Sequence, residues 1–481
     1  MNNRQLSLVL TGLIASLAGG LLFLLLGAPS AVDVTVRLTD VEAEKAAGTL
    51  GNSTTAPKET EKVNIEGFFE KLDGKPGTTA AAWPRFRGAE FSNVASESGS
   101  LSDKWGAGGP PVLWTIKLSE GHAGAAVWKG RVYVMDYDEA KEGHALRCFS
   151  FDDGKEIWRR WYKAPTKRNH GVSRTVPAIT EKYTVTMGPR CHVMCVDTET
   201  GAFRWGIDLV VEYGSEVPLW YTGQCPLIED GIAVLAPGGK ALLMGVDCET
   251  GKVVWQTPNP DGWKMSHSSI MPMTLLGKKT YVYCAMGGLV GVSAETADRG
   301  ALLWKTSAWN HSVNSPSPLA IDDHRIFLTA GYGGGSMMLG LKQDNGAVTA
   351  KPIFQLDKTT FACEQQTPIF YRGHIFGVLP KDAAALRAQF ACLDTDGKLV
   401  WTSGKTERFG LGPFMVADDK VFILNDDGEL TMIRASVKGY EQLARARVLK
   451  GRDAWGPMAL VDGRLLLRDS ENMICLDVRK L

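Results

Sequence analysis

Four of the eight histidines in this sequence stand in short polar segments that also carry arginine, tryptophan, amide or acidic side chains. The segments are EGHAG, RNHGVSRTVP, LWYTGQCP, MSHSSIMP, WNHSVNSPSP and CEQQTP. Their candidate functional residues are His122, His170, Arg174, Trp220, Gln224, His267, His311, Asn314, Glu364 and Gln365. Imidazole is a common metal ligand and exchanges protons near neutral pH, whereas amides, Arg and Trp hold organic ligands. These residue types suit a binding or metal site if the fold brings them together.

Two of these segments align with each other. Asn169-His170 and Asn310-His311 each precede x-Val-polar, and each histidine stands seven residues before a proline. A recurring local context indicates repeated structural units. The positions of the candidate site residues therefore depend on how these units repeat along the chain.

A second repeat runs through most of the chain. The phrases CFSFDDGKEIW, CVDTETGAFRW, GVDCETGKVVW, GVSAETADRGALLW and CLDTDGKLVW each place a glycine four residues before a tryptophan. The glycines are Gly154, Gly201, Gly251, Gly300 and Gly397, and the tryptophans are Trp158, Trp205, Trp255, Trp304 and Trp401. Trp114 extends the series, and two degenerate copies place Ala350 and Leu443 at the tryptophan position. This position therefore occurs eight times.

The repeat length predicts the fold. Successive tryptophans from Trp114 to Trp304 are 44 to 50 residues apart, with room for four short runs rich in Val, Ile, Thr, Tyr and Phe. Such units predict an all-β, eight-bladed β-propeller with four-stranded blades. The glycine supplies the positive φ of a hairpin turn, and the tryptophan packs between blades, so both are structural. Residues 112–118 should pair with residues 473–478 and close the ring.

The propeller explains how distant polar segments meet. Each segment precedes the innermost strand of its blade, so equivalent turns deliver their side chains to one rim of the central channel. These groups either hydrogen-bond to one another and to channel water, or bind a small ligand or peptide, or hold a metal. Metal-ligand spacing is not visible across blades, so the metal stays unknown.

The repeated phrase resembles the tryptophan-docking repeat Ala-x-Asp-x-x-Thr-Gly-x-x-x-Trp of the pyrroloquinoline-quinone-type (PQQ-like) propellers. WPRFRGAEFSNVASES looks like the start of the propeller in the membrane-associated members, the group of the outer-membrane assembly factor BamB. The resemblance implies either a non-catalytic scaffold or a quinoprotein dehydrogenase. Dehydrogenases of this kind bring a vicinal Cys-Cys disulfide and a cation held by carboxylate and amide. This chain has no adjacent cysteines, although Glu364 and Asn314 are candidates for such a cation.

The N-terminal region predicts a membrane anchor. Residues 6–27 form an uncharged run of 22 residues preceded by Arg4, so residues 1–27 should span a bilayer with the N-terminus inside. A cleavable signal peptide is the alternative. Residues 28–82 predict a flexible linker, and residues 83–481 the propeller on the periplasmic or otherwise extracytoplasmic side. No cysteine follows the apolar run, so the chain lacks the lipidation site of the assembly-factor lipoproteins.

The amino-acid composition limits which classes of partner molecule are expected. Lys plus Arg and Asp plus Glu both number 53, and a chain of zero net charge is a poor ligand for nucleic acid. Nine cysteines occur at scattered positions, and those at equivalent blade positions are expected to be buried thiols rather than disulfides.

These observations favour a membrane-tethered, extracytoplasmic binding or assembly scaffold that is non-catalytic, with a protein or peptide partner. No cofactor is expected. The alternatives are an oxidoreductase that uses PQQ with a divalent cation or another metal in the central channel, and a ligand sensor.

Overall fold

The computed structural model describes residues 62–96 and 99–480, which form eight sheets with four-stranded antiparallel blades. This confirms the predicted all-β eight-bladed propeller. Blades 1 to 4 comprise Ala126–Trp128, Arg131–Asp138, Gly143–Ser150, Glu156–Lys163; Ala178–Ile179, Tyr183–Met187, His192–Asp197, Phe203–Asp208; Leu227–Glu229, Ile232–Leu235, Ala241–Asp247, Val253–Pro258; and Met271–Leu275, Lys278–Ala285, Gly288–Ser293, Leu302–Thr306.

Blades 5 to 8 comprise Leu319–Ala320, Arg325–Ala330, Gly335–Asp344, Ala347–Leu356; Ile369–Tyr371, His374–Val378, Phe390–Asp394, Leu399–Thr402; Phe414–Ala417, Lys420–Leu424, Glu429–Arg434, Gln442–Arg447; and Ala459–Val461, Arg464–Arg468, Asn472–Asp477, Val112–Lys117. A short α-helix, Leu209–Tyr213, follows blade 2, and a 3-10 turn, Ala384–Leu386, lies in blade 6.

The last blade is completed by an early strand, as the sequence predicted. Val112–Lys117 pairs antiparallel with Asn472–Asp477, and Trp114 stands opposite Cys475. The outer strand of blade 8 thus comes from the N-terminal side of the ring. This arrangement joins the two ends of the repeat region and leaves no blade incomplete.

The repeated tryptophan packs on the repeated glycine of the following blade. A Cβ atom on Gly251 of blade 3 would stand only 2.7 Å from Cγ of Trp205 in blade 2. The indole therefore packs directly on the glycine backbone. The indole Nε1 of Trp205 donates to the Cys248 carbonyl at 2.9 Å. Trp114, Trp158 and Trp401 make the same kind of bond to the next blade. These contacts confirm that the glycines and tryptophans bind neighbouring blades together.

The small residues of the repeat lie across the sheet from the tryptophans. Cys195 pairs with Trp205, and Gly245 pairs with Trp255. A Cβ on Gly245 would stand 2.1 Å from Trp255 Nε1, so the indole occupies the space that a side chain would fill. The requirement for a small residue therefore comes from the cross-strand tryptophan within one blade.

The two degenerate tryptophan positions were predicted incorrectly. In blade 5, Phe354 rather than Ala350 packs on the glycine of the next blade, because a Cβ on Gly397 would lie 2.9 Å from the Phe354 ring. In blade 7, the residue in register with the tryptophans is Ala444 rather than Leu443, since it pairs with Met432 before the bulge. The same bulge occurs in the blades that keep the tryptophan, and blade 5 differs from them in its longer outer hairpin, whose two strands have ten residues each.

We expect Gly251→Ala to destabilise the protein by about 2 kcal/mol more than Gly231→Ala. Both glycines belong to blade 3 and have nearly equal φ, +71° for Gly251 and +73° for Gly231. A Cβ on Gly231 would contact nothing within 4 Å, whereas one on Gly251 would collide with Trp205. Urea unfolding of both variants measures the difference. Equal losses of stability would mean that this docking contact contributes little beyond the backbone strain.

An N-terminal segment crosses the central channel. Ala82–Trp83 pairs with the innermost strand of blade 1, and Val94–Ala95 pairs in parallel with that of blade 7. Between them, the Pro84 carbonyl accepts from Ile179 of blade 2, and Arg85 donates to Ile228 of blade 3. Residues 82–95 therefore contact inner strands on opposite sides of the ring. We call this segment the plug.

Arg87 fixes the middle of the plug. Its side chain is buried, and it donates to the carbonyls of Thr367 and Pro368 in blade 6 at 3.0 Å each. It also donates to the carbonyls of Phe91 and Ser92 within the plug. One guanidinium thus satisfies four backbone acceptors and holds the plug against the ring.

The residues before the plug pack on the outside of blade 1. Phe68–Lys71 adds a fifth antiparallel strand to Glu156–Lys163, and Phe68 stacks on Trp161 with ring centroids 4.5 Å apart. Ile65 is buried. The predicted linker boundary at residue 82 is therefore wrong for this part, because residues with apolar side chains pair with an open sheet edge.

The predicted anchor at residues 1–27, and the linker up to residue 61, lie outside the described residues. Within residues 62–96 and 99–480, no helix has the length and apolar character needed to cross a bilayer. The nine cysteines are all buried and form no disulfide, as expected for thiols that fill small core spaces.

Candidate functional site

A cavity of about 300 Å³ lies where the segments before the inner strands meet, with Phe86 of the plug in its wall. We call this cavity the cup. Its lining includes seven of the ten residues predicted from sequence: His122, His170, Arg174, Trp220, His267, Glu364 and Gln365. The residues come from different blades, so the equivalent turns do converge as expected.

A belt of hydrogen bonds under the cup holds these turns in register. The Val176 amide donates to Cys225 Sγ, and the Cys225 amide to Ser269 Oγ at 3.0 Å. The Ser269 amide donates to Ser317 Oγ at 3.0 Å, and the Ser317 amide to Thr367 Oγ1 at 2.8 Å. Each bond links one blade to the next, from blade 2 to blade 6. The belt therefore sets the relative positions of the residues that line the cup.

Arg174 is the main cation of the cup. Its Nε donates to the Trp220 carbonyl, and its Nη2 to the carbonyls of Asn169 at 2.6 Å and His170 at 3.1 Å. No carboxylate of the described chain lies within ion-pair distance of Arg174, and Glu120 pairs instead with Arg168. Burial lowers the pKa of Arg174 to about 10, so the guanidinium stays charged at neutral pH.

One wall of the cup is aromatic. Trp220 stacks on Tyr332 with ring centroids 5.5 Å apart and an angle of 22°, and the His267 ring lies 6.0 Å from Trp220. Burial, and then the charge of Arg174, lower the pKa of His267 to about 4, so this imidazole is neutral at pH 7. Tyr332 and Leu219 are 55% and 69% exposed, which places apolar surface beside the opening.

The opposite wall is built around Trp455. Lys381 Nζ lies 5.3 Å from the Trp455 ring centroid, and the His122 ring lies 5.0 Å from it. Trp455 Nε1 donates to Asp426 Oδ1 at 2.7 Å. Gln366 Nε2 donates to the Trp455 carbonyl at 3.0 Å. The two hydrogen bonds hold Trp455 in place, and its ring is available to cationic or neutral groups.

Two lining groups tend toward their uncharged forms. Burial, with the charges of Arg174 and Arg468, lowers the pKa of His122 well below its usual value, while its Nε2 donates to the His170 carbonyl at 2.9 Å. Burial raises the pKa of Glu364, and the nearby Asp382 and Asp426 add to the effect. The shifts of His122 and Glu364 therefore both favour the uncharged side chain.

Three predicted residues do not line the cup. Gln224 is fully buried and exchanges two hydrogen bonds with the backbone of Ala236, at 2.9 and 3.1 Å. Asn314 is fully buried, accepts from Trp309 Nε1 at 3.1 Å and donates to the His311 carbonyl at 2.9 Å. His311 packs edge-on against Trp309 with centroids 4.3 Å apart. These side chains stabilise their own loops, and Glu364 and Asn314 do not form a joint cation site.

Sequence reasoning missed several lining residues. The missed side chains with the clearest contacts are Phe86, Tyr332, Gln366, Lys381 and Trp455. Trp455 stands just before the Gly-Pro that precedes the inner strand of blade 8, so the rule used for the other blades would have found it. Tyr332 and Lys381 lie in loops that follow second strands, and no repeat marks them. Phe86 reaches the cup only because the plug crosses the ring.

The cup was tested for the cation-dependent quinone of the PQQ-type dehydrogenases. Its aromatic faces and Arg174 suit a planar, anionic organic group, but Glu364 is the one carboxylate in its lining. A hard divalent cation takes six to eight oxygen ligands, usually with several carboxylates. The residues present do not fit that cation. The one group of three metal-ligating side chains in the described chain, Asp322, Asp323 and His324, lies on a surface loop of blade 5.

The fold and the cup together define a PQQ-like propeller with a cavity lined by side chains from several blades. A sequence model of the family described as outer membrane protein assembly factor BamB matches residues 141–383, which is half of the chain. The chain belongs to this family. No curated protein matches the sequence significantly.

Solved structures share the fold. BamB from Moraxella catarrhalis has a TM-score of 0.51 and 14% identity, and the match covers 76% of this chain and 99% of that one. Quinohemoprotein alcohol dehydrogenase from Comamonas testosteroni has a TM-score of 0.58 and 11% identity, with 83% and 81% covered. A europium-containing methanol dehydrogenase has a TM-score of 0.52 and 12% identity, with 81% and 89% covered. At such identities the likeness concerns the fold alone.

Proposed function

We propose that this protein is an extracytoplasmic, membrane-tethered scaffold whose cup binds a segment of a protein partner. The observation that carries the proposal is the lining of the cup: two aromatic walls and an arginine without a carboxylate partner. Exposed Leu219 and Tyr332 extend the apolar surface to the rim. Trp, Tyr and Arg are the residues that dominate protein recognition sites.

Two histidines of the cup are not paired with a nucleophile, which fits a binding role. The histidines His122 and His267 are held neutral, and neither hydrogen-bonds to a Ser or Cys side chain in the described lining. Catalysis by general base or nucleophile needs such a pair within hydrogen-bond reach. Family membership adds support, because the family is described by an outer-membrane assembly factor.

Site-specific photo-crosslinking in cells tests the binding role. A photoreactive phenylalanine analogue in place of Leu219, at the rim of the cup, should give a light-dependent polypeptide adduct. The same analogue in place of Val400, which is 40% exposed on the outer strand of blade 6, is the matched control and should give none. An adduct at both positions, or at neither, contradicts partner binding at the cup.

The location is tested by fractionation. The uncharged run at residues 6–27 leads us to expect the protein in the membrane fraction, from which protease cleavage before residue 62 releases the propeller. Phe68–Lys71 and the plug are paired with the ring, so the released fragment should keep both. Recovery of a soluble chain that begins near Ala31 would show that the run is a cleaved signal peptide.

A quinone-dependent oxidoreductase is the second candidate. The stacked Trp220 and Tyr332 beside Arg174 favour it, since a planar anionic cofactor would pack on such a wall. Absorbance spectroscopy and elemental analysis of the purified protein separate the two candidates. The scaffold proposal predicts neither a stoichiometric quinone nor a stoichiometric divalent metal. Finding both in the purified protein would favour the oxidoreductase over the scaffold.

A further inference from the structure

The hydrogen bonds of Arg174 leave part of its guanidinium free to bind a ligand. Its Nε and Nη2 donate only to backbone carbonyls, those of Trp220, Asn169, His170 and, at 3.5 Å, Gly171. Its Nη1 has no hydrogen-bond partner in the described chain, and the residue lines the cup. The backbone carbonyls orient the guanidinium plane. The group is therefore preorganised to receive an acceptor from the cup side.

The missing partner of Arg174 is an anion. Arg174 is partly buried, and a desolvated cation without a counter-ion at contact distance is costly, so an ionised acceptor from a ligand would compensate this cost. Glu120 lies outside the cup lining; its charge acts on Arg174, but its carboxylate is engaged by Arg168 at 2.6 Å. His267 is neutral with a pKa of about 4.

The anion must be attached to an apolar group. Trp220 supplies both the carbonyl that holds Arg174 and the ring that stacks on Tyr332, so the cation and the aromatic wall are adjacent. Leu219, the residue before Trp220, is exposed. A carboxylate can accept a charge-assisted hydrogen bond from Nη1. The cup volume of about 300 Å³ is at the lower end for ligand pockets, which suits a chain end better than a long segment.

We propose that the cup captures the carboxyl terminus of a partner polypeptide that ends in an apolar or aromatic residue. Arg174 binds the terminal carboxylate, and Trp220 and Tyr332 pack on the last side chain. This inference rests on the proposed scaffold function and names its ligand. The same carboxylate chemistry is available from an Asp or Glu side chain within a chain, so the experiment distinguishes the two sources.

Fluorescence titration of the full-length protein in detergent tests this proposal. Three labelled peptides of equal length are compared: one that ends in Ala-Leu-Phe with a free carboxylate, the same peptide amidated, and an amidated peptide with Asp in the penultimate position. We expect amidation to weaken binding at least tenfold, with no recovery by the internal Asp. Equal binding of the free and amidated peptides would overturn the proposal, and so would full recovery by the internal Asp.

Variants locate the effect at the cup. Arg174→Gln should weaken binding of the free peptide at least tenfold and remove its advantage over the amidated one, whereas Arg174→Lys, which keeps the charge, should keep part of that advantage. Arg408→Gln is the matched control, since Arg408 also donates to backbone carbonyls but lies outside the cup. If Arg174→Gln does not fold, the lysine variant and the comparison of free and amidated peptides still test the proposal. A crosslink at Leu219 without carboxylate dependence would overturn this inference and leave the scaffold function standing.

Discussion

Replacement of Arg87 by methionine should lower the free energy of unfolding by on the order of 3 kcal/mol, because it leaves buried backbone carbonyls without donors. Arg87 is 3% exposed and donates to four carbonyls, two of them in blade 6. Methionine keeps most of the apolar stem and loses every donor. The plug should then detach, and trypsin should cleave between residues 62 and 96 much faster than in the parent protein.

Arg85→Met is the control for the plug. Arg85 belongs to the same segment but makes one hydrogen bond within the described residues, to the Ile228 carbonyl, at the long distance of 3.4 Å. We expect this variant to lose less than about 1 kcal/mol in urea unfolding. If the Arg85 and Arg87 variants lose equal stability and are cleaved at equal rates, the carbonyl bonds of Arg87 are not what holds the plug.

The repeat made most of the ring predictable from sequence. The four-residue step from glycine to tryptophan located the turns, and the incomplete units at both ends predicted the pairing of residues 112–118 with residues 473–478. The plug was not predictable in the same way. Its strands pair with Val127 and Val416, and the second partner is more than 300 residues away in the chain. No local periodicity records such a pairing, so the path of residues 82–95 follows only from the assembled ring.

The candidate site was predictable where it follows the repeat. His122, Arg174 and Glu364 line the cup because each precedes an inner strand. The same rule failed for Gln224 and Asn314, because a turn places some side chains toward the channel and others into the loop behind it. Burial decides between these directions, and burial depends on neighbours such as Ala236 and Trp309 that the rule does not contain. Residue type and sequence spacing therefore predict where the site lies better than they predict which side chains line it.

A buried pair of histidines lies in the seam between blades 1 and 2, outside the cup. His144 and His192 are fully buried with ring centroids 6.0 Å apart, and Tyr162 packs against both at 5.5 Å. Neither ring nitrogen of His192 has a hydrogen-bond partner in the described chain, and its Nε2 lies 3.8 Å from Asp208 Oδ2. The groups that face the pair are Tyr137, Tyr162, Arg190, Cys191 and Asp208. The seam thus holds imidazoles in an environment that disfavours their charged form.

Acid should therefore weaken this seam. Burial lowers the pKa of His192 to about 4, against the opposing charge of Asp208, and burial together with the charge of His192 lowers that of His144 well below its usual value. Both pKa values lie below the unfolded value of about 6.5, so below that pH the unfolded chain binds protons that the folded chain does not. The stability is complete above pH 6.5 and falls by about 1.4 kcal/mol per histidine for each pH unit toward the folded pKa.

The contribution of the seam is isolated by His192→Met, compared with the parent protein by urea unfolding at pH 7.5 and pH 5.0. Methionine fills a similar volume and does not titrate, so the loss of stability between the two pH values should be smaller by roughly 2 kcal/mol. His374→Gln, at a histidine on the surface of blade 6, should leave that loss unchanged. Carboxylates outside the seam and the cup histidines keep their surroundings in all three proteins, so their contributions cancel in the comparison. A parent-like loss in His192→Met would show that the proton uptake on acid unfolding arises elsewhere in the ring.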